Sequence, residues 1–150
     1  MRLDLYQTET ARIASEQAAL LANAKAILAN GQSLSPLEQN GVLHALQVLI
    51  ENAIGKAKQL LKASNQPVPV SGYDAFKALA THNLISATDL PEWNAAIGLR
   101  NRIVHDYMNI DMAQVLNLVA TDKAAFIIRF LTTPVNLADA EIHGSPPSRG

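Results

Sequence analysis

The residues best suited to chemistry stand together between Arg100 and Tyr107, where the chain reads R-N-R-I-V-H-D-Y. Two arginines, an asparagine, a histidine, an aspartate and a tyrosine occur here, in a chain that is 49% hydrophobic and 17% charged. Arg100, His105 and Tyr107 have the spacing R-x-x-x-x-H-x-Y, and Asn101 follows the first arginine directly. This concentration of polar groups makes the segment the candidate functional site.

These side chains suit the cleavage of RNA without a metal ion. A base must remove the proton of a ribose 2′-hydroxyl, a cation must stabilise the charge that grows on the phosphate, and an acid helps the 5′-oxygen leave. Histidine transfers protons near neutrality, so His105 is the candidate for that step. Arginine stays charged and binds phosphate oxygens with a planar fork, so Arg100 is the candidate cation. Asn101 can donate a hydrogen bond to His105 or to the phosphate.

The spacing alone does not bring the two main groups together. On one continuous helix, residues five positions apart are rotated by about 140° from each other. Arg100 and His105 would therefore face different ways. Two arrangements solve this and both stay open: the helix loosens near His105, or a second copy of the chain completes the site across a two-fold axis.

The motif resembles the signature of HEPN ribonuclease domains, and more narrowly of HepT toxins that pair with a minimal nucleotidyltransferase antitoxin in type VII-like systems. The resemblance implies a metal-independent endoribonuclease with no cofactor, whose catalytic residues are Arg100, Asn101 and His105. It implies tRNA or mRNA as substrate and a 2′,3′-cyclic phosphate as product. It also implies that the cognate nucleotidyltransferase attaches AMP to the hydroxyl of Tyr107, which would block RNA at the phosphate site beside Arg100.

Other interpretations of the motif exist. The chain could be a non-catalytic helical module that binds a nucleotidyltransferase and supports its substrate binding, in which case expression of the chain alone would not arrest growth. The motif residues could also form only surface ion pairs. A metal site of His105, Asp106 and Asp111 is disfavoured, because no second histidine lies at ligand spacing.

Further cations are candidates for contact with RNA. Arg102 lies three residues before the histidine and would share its helix face. Lys56, Lys58 and Lys62 end the polar side of a long helix, where a solvated face and a phosphate-binding patch are both open. Glu51, about one turn before them, is a candidate to orient a base or a cation.

Composition narrows the class of protein. The 12 Lys and Arg residues and 13 Asp and Glu residues give a net charge of −1, so RNA binding must come from a local basic patch. The chain has no cysteine, which excludes disulfides, thiolate metal sites and cysteine catalysis. The N-terminal sequence lacks an apolar secretory core, and no apolar run approaches the ~18 residues of a membrane span. We therefore expect a cytoplasmic protein.

Two long helices are predicted first. Apolar side chains recur every seven residues along 3–29, and Gly31 then suits the left-handed turn after a helix. Ser35, Pro36 and Glu38 form a capping box that opens a second helix. Its apolar arc is wider than one neighbour needs, so we expect it to contact two.

Three shorter helices are predicted next. The segment 73–82 carries apolar residues at helical spacing. Asp89 and Glu92 form a capping box that opens the fourth helix, which carries the motif. Asp111 caps a fifth helix, which is predicted to run unbroken to Thr133.

The fourth helix places Arg100 on an otherwise apolar stripe, in line with Trp93, Ile97 and Ile103. A guanidinium is almost never fully buried without partners. Its position therefore predicts either a cleft between subunits or a dedicated anionic partner.

The helix order predicts an all-α protein. Residues 1–133 are expected to form an up-and-down, HEPN-like bundle of four to five helices, and residues 134–150 a disordered tail. We expect a homodimer, because an isologous contact would bring the motifs of both subunits together. The other expected partners are RNA and the cognate nucleotidyltransferase, with no membrane.

Overall fold

The computed structural model describes residues 3–134, and none of them forms a β-strand. The α-helices in this range are α1 Leu3–Ala29, α2 Pro36–Ala63, α3 Gly72–Thr81, α4 Leu90–His105, α5 Met112–Ala120 and α6 Ala125–Thr132. Short 3-10 helices precede and follow α4, at Ala87–Asp89 and Tyr107–Asn109. The all-α prediction is confirmed. The predicted tail, apart from Pro134, lies outside the described residues.

Helix α2 is the centre of the bundle, because it packs against α1, α3, α4 and α6. It begins with the predicted capping box, in which Ser35 and Glu38 each bond the other's main-chain N–H. Most of its apolar arc is buried, from Val42 to Leu61. Gly55 lets α1 approach closely, since an added Cβ would lie 3.0 Å from the hydroxyl oxygen of Tyr6. The wide apolar arc predicted two neighbours for α2, and the structure gives it four.

An aromatic cluster fixes the first half of α4. The ring of Trp93 stacks on Phe76 of α3 with centroids 4.2 Å apart. The same ring meets Phe126 and Phe130 of α6 edge-on, at 4.8 and 5.0 Å. Aromatic pairs at such distances add stabilisation beyond their burial. With its first half anchored, α4 holds the motif on its second half at a defined place beside α2.

Two predicted boundaries are wrong. The fifth helix is divided into α5 and α6, because Asp122 adopts a left-handed conformation with φ of 57° and its carboxylate pairs with Lys25 of α1. Asp89 does not cap α4 with its side chain. It ends a 3-10 helix that Ser86 caps instead, so the chain enters α4 from an existing turn.

The prediction of RNA contact is wrong for Lys56. The whole residue is buried, with 0% of its surface exposed, because it lies between Ala53 and Leu60 on the inner face of α2. Its Nζ donates to the carbonyl oxygens of Phe130 at 2.6 Å and Thr133 at 2.9 Å. Lys56 therefore satisfies the last carbonyls of α6 from inside the bundle and cannot reach a phosphate.

None of the helices in the described range combines the length and apolar character that crossing a membrane requires.

Lys56→Met tests the state of this buried amine. Burial lowers the pKa of Lys56 from 10.5 to about 8. Between those values the unfolded chain keeps a proton that the folded protein has released, so the free energy of unfolding should rise with pH, by up to about 1.4 kcal/mol per unit. Urea unfolding across this window should show the rise in wild type and its loss in Lys56→Met.

Lys62→Met is the matched control, because Lys62 is an exposed lysine on the same helix. It should keep the wild-type rise. Equal slopes for Lys56→Met and wild type would contradict the shifted pKa.

Candidate active site

The backbone leaves the α-helix inside the motif. Helix α4 ends at His105, and Asp106 has φ −144° and ψ 43°, outside the helical region. The side-chain amide of Asn109 donates from Nδ2 to Asp106 Oδ1 at 2.7 Å, and this bond stabilises the 3-10 turn at Tyr107–Asn109. The helix loosens only after His105, so this change does not turn His105 toward Arg100.

Arg100 has a dedicated anionic partner in its own chain. Its Nε and Nη2 donate to Glu51 Oε2 at 3.0 and 2.9 Å, and its Nη1 donates to Asn101 Oδ1 at 3.0 Å. These bonds use three of the five N–H donors of a guanidinium. The Arg100 side chain keeps 27% of its surface exposed. The result is a fixed cation with donors left for an anionic ligand.

Tyr107 contacts the start of α2. Its hydroxyl donates to Asn40 Oδ1 at 2.5 Å, and 49% of the residue surface is exposed. Because Asn40 meets Tyr107 and Glu51 meets Arg100, α2 and α4 run antiparallel along the motif. Asn40 and Glu51 lie about 16 Å apart along α2 at the normal helical rise. The tyrosine hydroxyl and the guanidinium therefore mark the two ends of one surface.

A polar face of α2 forms this surface. Asn40, His44, Gln47 and Glu51 follow one another at intervals of four, three and four residues, which places them on one side of a helix. Gln47 Nε2 lies 3.4 Å from Glu51 Oε2, and His44 is exposed between the two anchored ends. Sequence reasoning missed Asn40, His44 and Gln47. The available signal was their spacing on a helix that is otherwise largely apolar.

His105 lies apart from this surface. It is the exposed last residue of α4, and the helix rotates it by about 140° from Arg100. One chain therefore holds Arg100 and Asn101 at one end of this surface and Tyr107 at the other, and leaves His105 on another face.

The remaining cations differ in their surroundings. Arg102 is exposed at the rim of an apolar groove between α4, α5 and α6. The Nζ of Lys58 donates to the carbonyl of Val70 at 2.6 Å and holds the linker before α3. Lys62 is exposed at the end of α2. Contact of these three residues with RNA stays a prediction.

Among residues 3–134, no group of three histidine, aspartate or glutamate side chains is arranged to hold a metal ion.

Comparison with known proteins identifies similar chains. A family model described as "Ribonuclease HepT-like" matches residues 15–131. The mRNA nuclease HepT of Shewanella oneidensis is 32% identical over 81 residues, which are 54% of this chain and 61% of that protein. A solved structure described as a toxin–antitoxin with AMP-PNP superposes with a TM-score of 0.71 at 20% identity, over 84% of this chain and 97% of that one. At that identity the structural likeness concerns the fold alone.

A double-mutant cycle of Glu51→Ala and Arg100→Ala tests the ion pair. Because the pair is half-buried and two donors share one carboxylate oxygen, we expect a coupling free energy of about 1 kcal/mol or more. Urea unfolding of wild type, both single variants and the double variant measures it.

The pair of Lys25 and Asp122 offers a matched control in the same protein, with both side chains exposed. Its coupling should stay below about 0.5 kcal/mol. A coupling at Glu51 and Arg100 no larger than this control would contradict a fixed guanidinium.

Proposed function

We propose that this chain, which belongs to the HepT-like ribonuclease family, is a toxin that cleaves RNA without a metal ion at the site of Arg100 and His105. The main support for this proposal is the guanidinium of Arg100. Glu51 and Asn101 fix its position, and part of it stays exposed. A cation positioned before the substrate arrives stabilises developing charge without having to reorganise. The similarity to an mRNA nuclease supports RNA as the substrate. The candidate substrates are mRNA and tRNA, and tRNA is suggested by the resemblance of the motif.

The proposed reaction is an internal transfer of the phosphate. His105 removes the proton of the ribose 2′-hydroxyl, O2′ forms a bond to phosphorus, and the bond from phosphorus to O5′ breaks. Arg100 binds the phosphate oxygens as their charge grows, and Asn101 keeps the guanidinium oriented. The products are a 2′,3′-cyclic phosphate and a free 5′-hydroxyl. Proton transfer of this kind typically contributes about 10²–10⁴-fold to the rate.

We propose that the active form is a homodimer. In one chain Arg100 and His105 lie on different faces of α4, so a two-fold contact is the arrangement that lets one chain's arginine work with its partner's histidine. Exposed apolar side chains near the start of α2 and just after the end of α4 support such a contact. Leu37 and Met108 are 81% and 91% exposed, and exposed apolar groups beside a polar site are typical of interaction surfaces.

We propose that a cognate nucleotidyltransferase inactivates the toxin by transferring AMP to Tyr107. The tyrosine oxygen would attack the α-phosphate of ATP, pyrophosphate would leave, and the hydroxyl proton would pass to a base of the transferase. The toxin–antitoxin of the same fold was solved with AMP-PNP, an ATP analogue, which supports an ATP-using partner. Tyr107 lies at the Asn40 end of the polar face, so a bound AMP would obstruct the path of RNA toward Arg100. We propose a cytoplasmic location, where an RNA substrate and an ATP-using transferase would both be available.

Arg100→Ala and His105→Ala test the ribonuclease. Each should lower the cleavage rate of purified protein by at least about 10²-fold and abolish growth arrest in cells that express the chain alone. Both variants should keep wild-type circular dichroism and the same oligomeric state.

Arg129→Ala and His82→Ala are matched controls outside the motif and should behave as wild type. Full cleavage by both motif variants would disprove the assigned roles. A wild-type chain that neither cleaves RNA nor arrests growth would instead favour a non-catalytic module that binds the transferase.

Tyr107→Phe tests the modification. Coexpression with the cognate nucleotidyltransferase should add the mass of one or more AMP groups to wild type, as intact-protein mass spectrometry measures. The variant should gain none, because it lacks the acceptor oxygen.

Tyr73→Phe is the matched control, since Tyr73 is another exposed tyrosine, and it should still gain AMP. An unmodified wild type would remove AMP transfer from the proposal and leave the nuclease standing. Modification of Tyr107→Phe would move the acceptor elsewhere.

A further inference from the structure

One proton transfer in the proposed reaction has no assigned donor. His105 is the base, whereas the departing 5′-oxygen must gain a proton. Arg100 cannot supply it, because a guanidinium does not release a proton in proteins. The hydroxyl of Tyr107 already donates to Asn40. A separate acid is therefore needed near Arg100.

We propose that His44 is this acid, an inference that rests on the proposed ribonuclease function. Two contacts fix its position: Tyr107 bonds Asn40, one turn before His44, and Arg100 bonds Glu51, two turns after it. At the helical repeat His44 is rotated by only about 20° from Glu51. The imidazole thus projects from the same face of α2 that holds the guanidinium.

The spacing along α2 suits a bound phosphodiester. His44 and Glu51 are about 10 Å apart along the helix axis, and Arg100 of α4 is bonded to Glu51 at one end of that interval. A phosphate held by Arg100 can present its 5′-oxygen toward His44. Because His44 is exposed, no rearrangement of the bundle is needed for it to meet a ligand.

In the complete reaction one histidine accepts a proton and another donates one. As O2′ bonds to phosphorus and gives its proton to the base, the bond from phosphorus to O5′ breaks and O5′ takes a proton from the His44 imidazolium. Exchange with water returns both groups to their starting states. Histidine suits the task because imidazole takes both protonation forms near neutrality.

His44 shares its surroundings with other titratable groups. Glu51 lies on the same face of α2, and Arg100, Asp106 and Tyr107 belong to the end of α4 that packs against it. His105 lies beyond them on the outer side of α4. The pH profile must therefore be compared between variants and not read from wild type alone.

His44→Gln is the test, because glutamine retains helix propensity and polarity but cannot act as an acid. With purified chain and an RNA oligonucleotide, kcat should fall by at least about 10²-fold. Binding of the same RNA with a 2′-deoxy group at the scissile position should stay at the wild-type level. The fall of kcat at high pH, which an acid produces, should disappear. His82→Gln, a histidine that ends α3, is the matched control and should not change kcat.

A second substrate separates an acid from a residue that only positions RNA. In an oligonucleotide with sulfur in place of the scissile 5′-oxygen, the leaving thiolate needs no proton. His44→Gln should cleave it at nearly the wild-type rate, whereas His105→Gln should not.

Wild-type kcat on RNA in His44→Gln, or a loss that the 5′-thio substrate does not relieve, would overturn the assignment of His44 while the nuclease stands. Failure of the wild-type chain to cleave either substrate would overturn both proposals.

Discussion

The ion pair of Arg100 and Glu51 is the interaction on which the site depends. Arg100 occupies a position on α4 that its neighbours make apolar, and a half-buried guanidinium is tolerated only with an anionic partner. The partner comes from α2, so the pair also sets the register between these helices. A well-packed apolar pair could stabilise the contact as well. What the ion pair adds is a cation whose position is fixed and whose outer N–H groups remain available.

The same register explains the rest of the polar face. Once Glu51 is opposite Arg100, antiparallel packing brings Asn40 to Tyr107, and the two residues between them on that face, His44 and Gln47, line the interval. The aromatic cluster around Trp93 supports this arrangement from the other end of α4. Rigid packing at one end and polar pairing at the other hold the motif.

Local patterns predicted the helices, and they predicted that Arg100 lies either in a cleft between subunits or beside a dedicated anionic partner, because both inferences depend on neighbours within a few residues. They did not identify Asn40, which bonds Tyr107 across 67 residues of sequence, or His44, which lies on the same face of α2. Lys56 shows the limit of periodicity. By periodicity, its side chain could lie on the inner or the outer face of α2. It lies inside because the carbonyl oxygens at the end of α6 accept hydrogen bonds from its Nζ. The break at Asp122 was missed because the apolar spacing continues on both sides of it.

Arg100 and His105 have different surroundings, although both belong to the second half of α4. Arg100 faces inward, where α2 of the same chain fixes it. His105 is on an exposed helix end. If the proposed dimer forms, each chain completes its own cation site and offers its base to the neighbour. Catalysis then depends on assembly. AMP at the proposed acceptor Tyr107, two residues after His105, would then interrupt both RNA binding and the contact between subunits.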